Sequence, residues 1–519
     1  MACQPASTGG ALPRFGSAGG LYNRPMFDNV RRVSRQLVAY GTADVSILAI
    51  NFLLLPVYTR VLSPAEYGAL TLLLVFEAFL KPVLRCGLDG SYLRQYFDES
   101  SEAGRASLAA TILFVVVALN GAALALLWPA SPWMTQLLLG TGEYVAAFWL
   151  VAVNTALANL LFLPTGLFRA QERSSLVGSI SFFRSLATIV ARLVLVVGLR
   201  KGVYGLALAD VLVTLIFVAV LSPTLWRMTR GGAWSRSRVG AALRYGWPQV
   251  PAGMLGQTMA MTDRYVLGLY LSLQDVGVYS IGITMASVLK LFPVAFASAW
   301  MPFAFSSLGR ADAPAMFARQ ASYAFAVMCL AALGAAACAG PLVELVLPPA
   351  YHQAPSVIPV LVLGITIQAT TSFVSTSLNV ARRTSRIPMA AGIGAAGSLL
   401  GSLLLIPRFG VLGAAYGVLC GQVVFAVSTA WLAQLSYPIP YESARLVKAA
   451  VVAVVLFGLV VILRTGAPVT DLFTAVAVTL SYPAILWAWR FLSPAEVASV
   501  RHAVRLLTAK VRGTPAARH

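Results

Sequence analysis

Glu77, Lys81, Arg85 and Asp89 recur at every fourth position in and at the end of an apolar run, Tyr67 to Leu88, long enough to cross a bilayer. At about 100° and 1.5 Å per residue they form a slowly turning stripe about 18 Å long on one helix face. Glu77 four residues before Lys81 is the stronger orientation for a helical ion pair, and Arg85 before Asp89 the weaker one. A lysine or arginine at mid-membrane costs about 2.5–3.5 kcal/mol on insertion scales, so the stripe must face protein or water, not lipid. Two readings follow. The stripe is a self-satisfied structural ladder, or it is the wall of a polar cavity that takes an anionic group, Arg bidentately and Lys as a point charge.

Cations buried in other apolar runs favour the cavity. Arg184, Thr188 and Arg192 recur every four residues and share one face, Arg264 adjoins Asp263, and Lys290 stands near mid-helix with no carboxylate within a turn. Lys81, Arg85, Arg184, Arg192, Arg264 and Lys290 are therefore the predicted anion-binding set, with Lys290 the strongest single candidate. Arg264 has an alternative as structural partner of Asp44 or Asp210, and Arg184 as a side chain snorkelling to a membrane surface. Asp44, Glu77, Asp89, Asp210, Asp263 and Glu344 either pair with these cations or bind a coupling ion.

Other chemistry is disfavoured. His352, His502 and His519 are far apart, and Cys3, Cys86, Cys329, Cys338 and Cys420 lack metal-ligand spacing, so neither a metal centre nor a disulfide framework is expected. No phosphate-binding loop is present, which argues against ATP hydrolysis, and no cofactor is expected. Gly392-Ile393-Gly394-Ala395-Ala396-Gly397 matches a dinucleotide fingerprint by letter. It lies inside an apolar span with no strand before it, so it reads as small-residue helix packing, together with Gly413, Gly417 and Gly421.

The elements that must position these residues are membrane helices. Of 519 residues 59% are hydrophobic and 11% charged, against about 25% charged in a soluble domain. Apolar runs predict an all-α polytopic membrane protein of about fourteen transmembrane helices, near 37–58, 67–89, 108–130, 143–167, 176–198, 203–222, 243–270, 276–300, 321–347, 355–380, 387–406, 411–434, 445–464 and 470–492. The net charge of +20 reflects loop placement, not nucleic-acid binding: only Arg60, Arg200, Lys201, Arg408 and Arg464 fall in the outer turns. Both termini are thus expected in the cytoplasm. Residues 1–36 form a basic tail without a signal-peptide pattern. The outer loops are short, the longest near Ser131–Gly142, which leaves no room for an external catalytic domain and argues against an enzyme.

The chain also echoes itself at an offset of about 205 to 211 residues. Tyr40-Gly41 pairs with Tyr245-Gly246, and Ser63-Pro64-Ala65-Glu66-Tyr67-Gly68 with Ser272-Leu273-Gln274-Asp275-Val276-Gly277. Arg169–Ser174 pairs with Val380–Ser385, and Arg200–Gly205 with Arg408–Gly413. An offset of six helices preserves orientation, so the repeats are parallel: an N-bundle over 37–222, a basic cytoplasmic loop over 223–244, and a C-bundle over 245–434. Two extra helices over 445–492 follow. Residues 493–519 form an amphipathic basic tail, opened by Ser493-Pro494-Ala495-Glu496. Such repeats suit alternating access by rocking of one bundle against the other.

The stretch Leu53–Gly68, then Gly87-Leu88-Asp89-Gly90-Ser91-Tyr92-Leu93-Arg94-Gln95-Tyr96-Phe97, resembles the oligosaccharide-flippase (polysaccharide-biosynthesis, O-unit exporter) branch of the multidrug/oligosaccharidyl-lipid/polysaccharide (MOP) exporter superfamily. So do Asp263-Arg264-Tyr265-Val266-Leu267 and Asp275-Val276-Gly277-Val278-Tyr279-Ser280. The resemblance covers about residues 35 to 490. It implies a flippase of the bacterial inner membrane that moves an undecaprenyl-pyrophosphate-linked oligosaccharide to the periplasmic leaflet through a cationic central cavity, with the last two helices flanking a groove for the lipid tail. The partners so implied are that lipid-linked oligosaccharide, membrane lipids and polysaccharide polymerase or export machinery. The rival readings are a cation-coupled multidrug exporter of the same superfamily, expected to centre on carboxylates and aromatics, and a membrane glycan polymerase or ligase, expected to carry a large outer loop.

Overall fold

The computed structural model describes residues 52, 54–293, 296, 300, 304, 312–381, 383, 385–492 and 496. Among the described residues there is no strand. The helices run α1 Pro64–Arg85, α2 Leu88–Asp98, α3 Glu102–Leu139, α4 Val145–Leu160, α5 Phe162–Ala170, α6 Ser174–Arg192, α7 Gly202–Thr229, α8 Arg236–Gly246 and α9 Gln249–Tyr270. They continue as α10 Leu273–Ser287, α11 Ala313–Val346, α12 Ile358–Val374, α13 Thr376–Val380, α14 Arg386–Phe409, α15 Val411–Gln434, α16 Ser443–Ile462 and α17 Pro468–Ala488.

Among the described residues twelve helices are long and apolar enough to span a bilayer, and the chain is a multi-pass membrane protein. Two of the fourteen predicted spans fall outside that twelve. The seventh forms as α9, but Gln249, Gln257, Asp263 and Arg264 make it more polar than the rest. The first lies mostly outside the described residues, as do Asp44, the N-terminal tail and nearly all of the C-terminal one; residues 54–61 are helical.

Three boundaries depart from the sequence reading. The predicted helix 67–89 breaks at Cys86 and Gly87, both left-handed (φ 45° and 65°), one turn after Pro82. A Cβ on Gly87 would land on the backbone of Gly246, so this close approach requires glycine. The helix predicted at 108–130 instead runs as α3 for 38 residues through Pro129 and Pro132, which absorbs most of the expected outer loop. The Trp128 carbonyl that Pro132 cannot satisfy accepts a hydrogen bond from Ser131 Oγ at 2.8 Å. Most of the expected basic loop 223–244 is also helical. α7 continues through Pro223 to Thr229, and α8 packs Ala242 and Leu243 against Leu88, Tyr92 and Leu108 of α2 and α3 while Arg238 pairs with Glu99 at 2.9 Å.

The two halves meet along α1 and α10. Each begins with a capping box: Ser63 Oγ accepts from Glu66 N and Glu66 returns to Ser63 N, and Ser272 with Asp275 repeats the arrangement. Five residues after each cap comes a glycine, Gly68 or Gly277, and these two lie backbone to backbone. The largest apolar cluster follows this seam through Leu72, Leu73, Val266, Leu267, Val276 and Tyr279. In the second half, Gly417 and Gly421 of α15 abut Ser402 and Ser398 of α14, and Gly394 meets Phe425. The small-residue spacing is therefore a packing surface, as its apolar setting indicated. α16 and α17 pack on α11 around Leu333, Leu456 and Tyr482.

Candidate functional site

α1 and α9 act as partitions between three cavities. Between them lies a central cavity of about 560 Å³, lined by Glu77, Lys81, Arg85 and Asp89 from the first half and by Gln249, Gln257 and Met261 from the second. On the other side of α1, inside the first half, is a cavity of about 430 Å³ holding Arg184, Arg192 and Asp210. Beyond α9, inside the second half, a smaller one of about 260 Å³ holds Asp263, Arg264 and Lys290. The six predicted cations thus do not converge. Lys81 and Arg85 face the centre, and the other four divide between the flanking cavities.

The charge stripe is only partly a ladder. Glu77 and Lys81, the pair favoured by orientation, do not come within ion-pair distance among the described residues, whereas Arg85 Nη1 reaches Asp89 Oδ2 at 3.5 Å across the helix break. Glu77 is the one described residue common to the central and first-half linings. Lys81, one turn on, belongs to the centre alone. The stripe therefore winds from one cavity to the other, as a 3.6-residue repeat sampled every four residues must.

Arg85 is held from behind. Its Nε donates to Asn159 Oδ1 at 2.9 Å, Asn159 Nδ2 donates to Asn120 Oδ1 at 3.0 Å, and Asn120 Nδ2 donates to the Val116 carbonyl at 2.7 Å. Asn159 is fully buried and Asn120 nearly so. A buried amide must be hydrogen-bonded to be tolerated, and this chain satisfies both while orienting one edge of the guanidinium. Phe162 adds a ring 5.9 Å from the Arg85 Cζ. The sequence reading missed Asn120 and Asn159. Amides inside spans otherwise nearly free of them were the available signal.

In the first half, Arg192 grips Asp210 bidentately, Nε to Oδ1 at 2.8 Å and Nη2 to Oδ2 at 2.7 Å, where α6 passes into a π-helical turn at Leu193–Gly198. This removes Asp210 as a partner for Arg264. Arg184 Nη2 donates to Thr214 Oγ1 at 3.2 Å, and Thr214 in turn donates to Asn154 Oδ1 at 2.7 Å. Arg184 is thus a cavity residue joined to two other helices, not a free snorkelling end. Asp210→Asn is expected to destabilise the fold by about 3 kcal/mol, at the low end for breaking a buried pair because both side chains keep some exposure. Thermal unfolding in detergent checks this, and Arg192→Leu with Asp210→Leu should recover part of the loss.

In the second half, Asp263 is buried and accepts from Tyr279 Oη at 2.7 Å; it forms no ion pair with Arg264 among the described residues. Arg264 Nε, Asp263 Oδ1 and Gln422 Oε1 are buried without hydrogen-bond partners among the described residues. Lys290 ends a short 3₁₀ turn and has no ion-pair partner among the described residues. Gln368 and Gln422, also missed from the sequence, complete this lining. Glu344 sits exposed in the last turn of α11 and lines none of the three cavities.

Comparison with known proteins sets these cavities in context. The sequence profile of the family described as "Polysaccharide biosynthesis protein" matches residues 57–356, more than half of the chain. The chain belongs to that family. Among solved structures, the chain is similar to the lipid II flippase MurJ in an inward closed conformation, at TM-score 0.65 and 12% identity over 89% of this chain and 99% of that one. It is also similar to an inward-facing multidrug resistance MATE family transporter of the MOP superfamily, at TM-score 0.58 and 13% identity over 78% and 97%. A third likeness is a MOP superfamily transporter from Pyrococcus furiosus described by the reversed polarity of its binding pocket, at TM-score 0.53 and 15% identity over 78% and 95%. No curated protein matches the sequence as a relative. At these identities the structural likeness is one of fold: the all-helical architecture is shared with these transporters.

Proposed function

We propose that the protein is a flippase that carries a lipid-linked oligosaccharide, joined to its polyprenyl tail through a diphosphate, from the cytoplasmic to the periplasmic leaflet of a bacterial inner membrane. The observation that carries this reading is the placement of Lys81 and Arg85 on the central cavity between the two halves. Fixed cations in a wet cavity at the interface suit a diphosphate, and rocking of the halves about the α1–α10 seam would expose it to each leaflet in turn. The polyprenyl tail stays in lipid. Lys290 and Arg264 contribute a second cationic region beyond α9, and both termini lie in the cytoplasm. The product is handed to polysaccharide polymerase or export machinery.

The test is transbilayer movement of a fluorescent undecaprenyl-diphosphate oligosaccharide in proteoliposomes. Arg85→Ala and Lys81→Ala should each lower the initial rate about 10- to 100-fold, the effect of losing one charge-assisted contact of about 1.5–3 kcal/mol. Lys290→Ala should lower it less, since its cavity lies off the central one. No movement by wild type under any imposed gradient, together with efflux of organic cations, would replace this reading with a cation-coupled multidrug exporter.

A further inference from the structure

The first-half cavity is more than a store of paired charge. Like the central cavity it carries two cations and two acids, Arg184, Arg192, Glu77 and Asp210, but here Arg192 is engaged bidentately by Asp210 and Arg184 by Thr214, whereas Lys81 has no ion-pair partner among the described residues, so this cavity is the poorer match for a diphosphate. What it offers in surplus is hydrogen bonding. Ser185 has no hydrogen-bond partner among the described residues, and Asn154 uses its carbonyl on Thr214 and leaves its NH₂ group without one. Its volume of about 430 Å³ falls within the range of about 300–1,000 Å³ of small-molecule sites. It meets the central cavity at Glu77, one helical turn from Lys81.

We propose that this cavity is the sugar subsite: it takes a neutral, hydroxyl-rich ring of the headgroup while Lys81 and Arg85 hold the diphosphate next door. The inference rests on the flippase reading and deepens it. A hexose hydroxyl both donates and accepts, so Glu77 and Ser185 accept or share its protons while Asn154 and Arg184 donate to its oxygens. The diphosphate is bonded to the first sugar, and the adjoining cavities have the same adjacency. Sites built to hydrogen-bond hydroxyls discriminate strongly against ligands that lack them, so the bare carrier lipid is the disfavoured ligand.

The experiment measures binding of undecaprenyl diphosphate, and of the same lipid bearing one glucose, galactose or N-acetylglucosamine, to the full-length protein in nanodiscs. At least one glycosylated probe should bind wild type about tenfold or more tightly than the bare lipid. Asn154→Leu and Ser185→Leu should each erase that gain and leave bare-lipid affinity unchanged; Ser185, only half-buried, keeps the test decisive if Asn154→Leu misfolds. Equal affinity of wild type for bare and glycosylated lipids, or equal weakening of both by the substitutions, would overturn the subsite and leave the flippase reading standing. Binding of neither lipid by wild type would overturn both.

Discussion

Gly68→Ala and Gly277→Ala should each force the N-terminal ends of α1 and α10 apart and cut transport by about tenfold or more, although each adds a single methyl group. A Cβ on Gly68 would meet the carbonyl of Leu273, and one on Gly277 the carbonyl of Pro64. Both obstacles are helix backbone, which cannot rotate away as a side chain can. Overpacking of this kind costs about 1–3 kcal/mol, and in the proposed flippase cycle it would fall on only one of the conformations visited. A bias of that size shifts the population about 5- to 150-fold away from the closed seam. Leu72, one turn further in and 2% exposed, reports the opening: Leu72→Cys in a cysteine-free background should react faster with a membrane-impermeant maleimide when Gly68→Ala is present. Unchanged labelling and unchanged transport would show that the glycines are ordinary packing residues.

The second large effect concerns a residue that lines none of the three cavities. Asn159→Leu should impair transport nearly as much as Arg85→Ala, because it releases the Nε edge of the guanidinium and strands the Asn120 carbonyl oxygen in a buried site. Leaving a buried polar group unsatisfied costs about 1–3 kcal/mol. A purely structural role for Asn159 would lower stability and add to the effect of Arg85→Ala. A positioning role predicts that the double variant is little worse than either single one, with a coupling energy of about 0.5–3 kcal/mol in the transport rate. The substrate concentration for half-maximal rate should rise in parallel for the two single variants. Additive losses would show that Asn159 does not act through Arg85.

Local chemistry determined a good deal of this protein from the sequence alone. Span lengths and low charge dictate a multi-pass helical chain, because backbone groups in lipid must be satisfied within a helix. Ser63-Pro64-Ala65-Glu66 and Ser272–Asp275 specify their capping boxes within four residues, so both form as read. The spacing of Gly394, Gly417 and Gly421 likewise marks close helix contact, since it requires only one face of one helix to be small. The caps are interactions of short sequence separation and the glycine spacing marks only a small helix face, so both are legible without knowing the neighbour.

The tertiary structure decided which charges act together. Four-residue spacing placed Glu77, Lys81, Arg85 and Asp89 on one stripe, but which cavity each meets depends on the helices packed around α1 and on the left-handed break at Cys86–Gly87. The favoured pair, Glu77 with Lys81, therefore did not form and the weaker one did. Arg192 found Asp210 on the next long helix, and Arg85 found Asn159, 74 positions away. Periodicity fixes the direction of a side chain relative to its own helix axis; its partner is chosen by how that helix is rotated against its neighbours, which only the packed bundle sets.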